Sequence, residues 1–407
     1  MTKSAGDAKS ARLSGGSWVA AGMMVMNVAV YGFNIVAARI LVPAEFGAVT
    51  ALLGVFLVGS VVAIGLQTTV ARRVAIAPDR AAEEAVTSDA LRITLTVAVS
   101  VAAIVCVASI AIAPLLRLDS VVPVILCGLA LLPYTILGSL LGLAQGSSRW
   151  KALATIYLTT GVARLLIGAA ALVISPTVTS AMLGLAIASW LPVLLGFRML
   201  GLSLQLPHTD SLRPMMRELL GGSHALLAYF VLSSLDALIA RSLFDEHDSG
   251  LYASGLILTK AALFFPQFVS VVLFPDMARS SKGGARRRAL AIVAAFGALA
   301  VAATALLPGL ALILVGGDKY GEIESRLWLF ALEGAALAVV QLLVFDALAR
   351  HAHGIVLMIW AAVGAVLVLA FSLQVNITGL VTIVATTSCV LAVAVWFKPG
   401  GSRVPAE

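Results

Sequence analysis

Apolar runs of eighteen or more residues recur along the whole of this 407-residue chain. A run of that length, wound as a helix at about 1.5 Å per residue, crosses the roughly 30 Å of hydrocarbon in a bilayer. Twelve can be counted: Trp18–Leu41, Phe46–Val70, Leu91–Leu116, Val121–Ala144, Ala152–Ile174, Val178–Leu200, His224–Phe244, Gly250–Phe274, Ala289–Val315, Ser325–Leu348, Gly354–Phe371 and Ile377–Phe397. Water is the wrong solvent for such a chain: 61% of its residues are hydrophobic and only 12% charged, too few to cover a soluble protein of this size. The expected class is an all-α integral membrane protein of about twelve transmembrane helices.

The cationic residues orient it. With the N-terminus inside, twenty of the 27 Lys and Arg residues fall on cytoplasmic segments, among them Arg72, Arg73, Arg213, Arg217 and the cluster Arg279 to Arg288. Five fall on the outer face: Arg39, Arg117, Arg241, Lys319 and Arg326. Two, Arg164 and Lys260, lie within spans. This bias is the signature of positive-inside topology and places both termini in the cytoplasm. It also accounts for the net charge of +7, together with anionic membrane lipids, so no nucleic-acid partner is expected. An Ala-, Val- and Gly-rich composition fits a bacterial cytoplasmic membrane.

A phrase is written twice. "AARILVPAEFGAV" (37–49) and "IARSLFDEHDSGLY" (239–252) each end an apolar run with Ala-Arg-x-Leu, cross a short acidic turn and restart at Gly. Both form outer hairpins, between spans one and two and between spans seven and eight. Duplication of a six-span unit in one orientation explains this, because an even number of crossings returns the chain to the same side. The expected organisation is a six-helix lobe over 1–200, a cytoplasmic linker over 201–222 and a second six-helix lobe over 223–407. In the linker, Leu212, Met215, Met216, Leu219 and Leu220 form one stripe opposite Arg213, Arg217 and Glu218. That pattern reads as a short interfacial helix, capped by Asp210 or Ser211 and ended by Gly221-Gly222. A second amphipathic segment, or a solvated loop helix, begins at Pro78.

Ionisable groups inside spans cost a few kcal/mol or more and usually face a cavity or a partner. Lys260, about 15 Å into span eight by helix rise, and Arg164, in the middle of span five, lie near mid-membrane. Asp236 is near the middle of span seven, Glu333 two turns into span ten, and Asp346 near that span's inner end. Arg39, Arg164, Arg241 and Lys260 therefore place cations in both halves, as a cavity for an anion would require, and guanidinium groups suit phosphate. Arg39 and Arg241 also fit a second role, reaching lipid headgroups or capping helix ends, and Asp236 with Lys260 also fits a structural ion pair. Asp236 and Glu333 are candidates for a coupling H⁺ or Na⁺. Asn27, Asn34, Gln67, Gln267 and Gln341 supply further polar groups.

No phosphate-binding Gly-Lys-Ser/Thr loop occurs, no loop between spans exceeds about twenty residues, and no His or Cys set has metal-ligand spacing. No catalytic residue, metal or cofactor is expected. "GSLLG" (138–142) suits close helix packing.

The stretch from Asn34 to Ala75 resembles the first hairpin of polysaccharide-type and O-antigen-type flippases, within the multidrug/oligosaccharidyl-lipid/polysaccharide exporter superfamily. The stretch from Ser233 to Arg279 is similar to their seventh-to-eighth-span region, with Asp236, Gly250, Leu251, Tyr252, Phe274, Pro275, Ala278 and Arg279 at matching positions. Ala237 departs from the Arg or Lys that many relatives carry. The resemblance implies two lobes around a central cavity that translocate a polyprenyl-diphosphate-linked oligosaccharide or polysaccharide unit by alternating access, driven by an ion gradient. A glycan polymerase or glycosyltransferases would be candidate partners beside the lipid-linked glycan and membrane lipids. A drug/cation antiporter, a peptidoglycan-precursor flippase and a non-transporting scaffold for glycan assembly remain as alternatives at this stage.

Overall fold

A computed structural model of the chain describes the backbone of residues 3–202, 213–279, 284–349 and 354–397. Among these, α-helix dominates and no strand occurs. The helices are α1 (Lys3–Ile40), α2 (Pro43–Gly59), α3 (Val61–Ala75), α4 (Arg80–Leu115), α5 (Val122–Gly146), α6 (Trp150–Ile174), α7 (Val178–Ala188) and α8 (Trp190–Leu200). They continue as α9 (Arg213–Leu243), α10 (Glu246–Arg279), α11 (Gly284–Leu306), α12 (Pro308–Val315), α13 (Leu327–Ala349), α14 (Gly354–Ser372) and α15 (Ile377–Phe397). A 3-10 segment, Asp318–Arg326, precedes α13. Eleven stretches among the described residues are long and apolar enough to cross a membrane. The other span read from the sequence lies in α10, a helix of 34 residues. The chain is a multi-pass membrane protein.

Three spans read as continuous are broken, each for a local reason. Span two divides into α2 and α3 at Gly59-Ser60, where the Ser60 hydroxyl donates to the Leu57 carbonyl (2.7 Å) instead of leaving the ladder undisturbed. Span six divides at Ser189, whose hydroxyl bonds the Leu185 carbonyl (2.8 Å) just before Pro192. Span nine divides at Leu307, since Pro308 disfavours helical backbone at the residue before it. The segment from Pro78 is neither a separate helix nor a loop: Asp79 accepts from the Ala82 amide (2.8 Å) as an N-cap, and α4 runs on unbroken from Arg80.

The linker also departs from expectation. Asp210 and Ser211 lie outside the described residues, but α9 runs through Gly221 and Gly222 without a break. Glycine in a helix costs only about 1 kcal/mol, and an unbroken helix keeps every backbone bond made. The described part of the apolar stripe rests on protein. Met215 and Leu219 are buried with Leu66, Val70, Val74, Leu140 and Ala144, while Glu218 binds Arg72 (2.5 Å) and Arg73 (3.2 Å).

The chain divides into two compact units. The first comprises 1–40 and 55–223, the second 41–54 and 224–407. The turn of the first repeated phrase thus belongs with the second unit. There it meets the other copy: a Cβ on Gly250 would collide with the Pro43 carbonyl, and one on Gly47 would lie 2.7 Å from Ser249 Oγ. The glycine that restarts each phrase is the point where the two turns touch.

Each unit is built around one deeply buried helix, α5 in the first and α13 in the second. In the first unit α5 packs against α3, α4, α7 and α8; in the second, α13 packs against α10, α11 and α15. Counted as spans, four contacts two, three and six, and ten contacts eight, nine and twelve. The same packing recurs six spans later, as a parallel duplication requires. Close approach in the first unit comes from Gly142 and Gly146, where a Cβ would lie 2.7 Å from the carbonyls of Gln67 and Ala71; Gly138 meets the Ala63 carbonyl in the same seam. This is the close packing read from "GSLLG".

Candidate functional site

Among the described residues, the charges near mid-membrane gather in two sets, one in each unit. In the first unit, α6 carries Arg164, whose guanidinium stands 5.3 Å from the ring centroid of Phe33 on α1. Gly161, one turn earlier, admits α1 so closely that a Cβ there would lie 2.5 Å from Met26. Tyr134 and Cys127 of α5 are within electrostatic reach of the guanidinium. Among the described residues no carboxylate lies at ion-pair distance from Arg164, and its Nε has no hydrogen-bond partner. A half-buried guanidinium whose buried Nε keeps an open donor is suited to an anion.

In the second unit, Asp236 of α9, Tyr252 and Lys260 of α10 and Glu333 of α13 converge. Asp236 and Glu333 are 1% and 0% exposed, and their carboxyl groups face one another. The Tyr252 hydroxyl donates to Asp236 Oδ2 (3.3 Å), while Asp236 Oδ1 and both Glu333 oxygens have no donor. Lys260 Nζ donates to the Ser233 carbonyl (2.5 Å) and is within electrostatic reach of both carboxyls without making a direct ion pair to either. Gly334 brings α13 against α10, where a Cβ would lie 2.6 Å from the Thr259 carbonyl, and the Thr259 hydroxyl bonds the Phe330 carbonyl (3.0 Å). That seam sets Glu333 opposite Lys260. A carboxyl pair beside one ammonium has chemistry for holding and releasing a proton or a small cation.

The remaining sequence candidates separate from these sets. Arg241 is 4% exposed; its guanidinium donates to the Ala44 carbonyl (3.3 Å) and Ser249 Oγ (3.2 Å) and reaches Glu246 (3.5 Å). It ties the two repeated turns together. Lys319, read only as an outer-face residue, does related work, donating to the Leu41 carbonyl (2.6 Å) at the end of α1. Arg39 is exposed at the C-terminal end of α1. The side chain of Asp346 lies outside the described residues.

Sequence reading missed the tyrosines. Tyr252 closes the acid pair, Tyr134 accompanies Arg164, and Tyr157 accepts from Gln67 within electrostatic reach of Tyr134. A signal existed for one of them: Tyr157 and Arg164 are seven apart, two turns along one helix face.

Comparisons with known proteins agree with this architecture. The family model described as "Polysaccharide biosynthesis protein" matches residues 36–320, well over half the chain. Among proteins with curated functions, none matches in sequence. Solved structures do match in fold. An inward-facing multidrug-resistance MATE family transporter of the MOP superfamily superposes with a TM-score of 0.72 at 13% identity, covering 91% of this chain and 92% of that one. The lipid II flippase MurJ, in an inward closed conformation, gives 0.71 at 10% identity over 92% and 86%. The eukaryotic MATE transporter AtDTX14 gives 0.60 at 17% identity over 94% of each chain. The fold anticipated from the sequence, an all-α membrane protein with its spanning helices in two bundles, is the one these solved structures share.

Proposed function

The chain belongs to the polysaccharide biosynthesis protein family, and on that premise we propose that it translocates a polyprenyl-diphosphate-linked oligosaccharide or polysaccharide unit across the bacterial cytoplasmic membrane, both termini inside. One observation carries the reading: a half-buried guanidinium without an acidic partner among the described residues sits in one unit, and a buried carboxyl pair sits in the other. Arg164 is the anion receptor, and its open Nε and planar fork suit a diphosphate. Asp236 and Glu333 take up a proton on the side of higher proton activity and release it on the other, with Lys260 balancing the charge left behind. A proton is the smallest charge that a facing carboxyl pair can share, and Na⁺ is the competing occupant. Substrate and ion thus act at separate residues, and alternating access couples them.

The test is reconstitution. Proteoliposomes carrying the purified protein and labelled lipid-linked glycan should expose the glycan to an impermeant probe faster when a pH gradient is imposed. A sodium gradient at constant pH should have no such effect if the ion is a proton. Arg164→Ala should lower the rate by about ten- to a hundredfold, the effect of one charge-assisted hydrogen bond. Equal rates in wild type, Arg164→Ala and Lys260→Ala, all folded, would count against the reading.

A further inference from the structure

Polar groups within the first unit are of two kinds. Thr94 and Ser139 bond one another and are fully buried, so their bond joins helices and nothing more. A second group stays half-buried. Gln67 Nε2 donates to the Tyr157 hydroxyl (2.8 Å) and to Gln145 Oε1 (3.1 Å); Tyr157 and Tyr134 lie within electrostatic reach of each other, and Tyr134 within reach of Arg164. Gln67, Tyr134, Tyr157 and Arg164 all keep part of their surface open, and Gln145, at the end of α5, is exposed. The row passes from mid-membrane along two turns of α6, about 10 Å, and on to the end of α5. Gln67, Tyr157 and Gln145 bond one another yet keep polar surface exposed, and such surface within a bilayer is covered at less cost by water or a polar ligand than by hydrocarbon.

We propose that this row is a glycan-reading surface, holding the sugar next to the diphosphate that Arg164 receives; it rests on the translocation reading above. Sugar rings offer apolar C–H faces to aromatic side chains and hydroxyls to amides and phenols. Tyr134 and Tyr157 supply the first kind of partner, and Gln67 and Gln145 the second. Phosphate is bound at one end of the row and sugar along it, so the surface discriminates a loaded carrier from an empty one. Translocation of the empty carrier would waste the gradient.

The experiment is equilibrium binding to the full chain in lipid nanodiscs. Two probes are compared: glycosylated polyprenyl diphosphate extracted from the native membrane, and the same lipid after removal of its glycan. Wild type should bind the glycosylated form about tenfold more tightly, the worth of one or two neutral hydrogen bonds. Tyr157→Leu and Gln67→Leu should abolish that preference and leave affinity for the bare lipid unchanged, which also shows the variants to be folded. Tyr157→Phe should keep most of the preference, and Gln145→Ala, at an exposed position, should lower it about threefold. Equal wild-type affinity for both probes, or a preference that survives in Tyr157→Leu and Gln67→Leu alike, overturns the inference while the translocation reading stands. Failure of wild type to bind either probe overturns both.

Discussion

The first unit half-buries a cation with aromatic neighbours and, among the described residues, no acid at ion-pair distance; the second buries two acids beside a cation and a phenol. Both are built on the same arrangement of spans around α5 or α13. Duplication supplied two equal frameworks, and the charges placed in them diverged. The difference teaches that symmetry of fold carries no symmetry of chemistry. A guanidinium whose Nε is unpartnered is ready for an external anion, whereas a buried carboxyl pair with three oxygens lacking a donor, beside an ammonium, suits a proton or a small cation.

Removing Lys260 should break this contrast most violently. Lys260→Ala strands two buried carboxyls and should lower stability by about 3–5 kcal/mol, read as a fall in the melting temperature of the detergent-solubilised protein. Adding Glu333→Gln to it removes one of those charges and should restore part of the loss; independent, additive effects would contradict the cluster. Arg164→Ala, by contrast, should leave stability within about 1 kcal/mol of wild type while reducing transport, since no described acid at ion-pair distance from Arg164 would be stranded. A large loss of stability there would mean that the guanidinium is structural. The smallest effect belongs to the inner end of the first unit. Glu218→Ala frees Arg72 and Arg73, which are largely or partly exposed, and should cost no more than about 1 kcal/mol and diminish further in high salt.

The sequence made the membrane class, the span count and the duplication legible, because hydrocarbon thickness and chain direction impose periodicities that no packing detail can override. Arg164, Lys260, Asp236 and Glu333 were visible for a related reason: a charge at that depth is conspicuous in apolar sequence. Their grouping was not visible. Asp236, Lys260 and Glu333 lie on three different helices, the two acids 97 positions apart, and only the fold brings them together, with the Gly334 seam setting α13 against the Lys260 helix. The kinks at Ser60 and Ser189 were hidden because a single hydroxyl competing for a carbonyl leaves hydropathy unchanged. In the sequence Arg241 reads either as one of the cations for an anion or as a group at a helix end; its donors go to Ala44 and Ser249, a contact between the two turns that neither turn reveals alone.

The division of labour is tested most directly by measuring glycan flipping and proton movement together in the same proteoliposomes, for wild type, Arg164→Ala and Glu333→Gln. Wild type should move both. Arg164→Ala should lose flipping but still take up protons at the acid pair, and Glu333→Gln should flip substrate down its own gradient with no response to an imposed pH difference. If both variants lose the two activities in parallel, or if Glu333→Gln still answers to pH as wild type does, substrate and ion do not reside in separate halves.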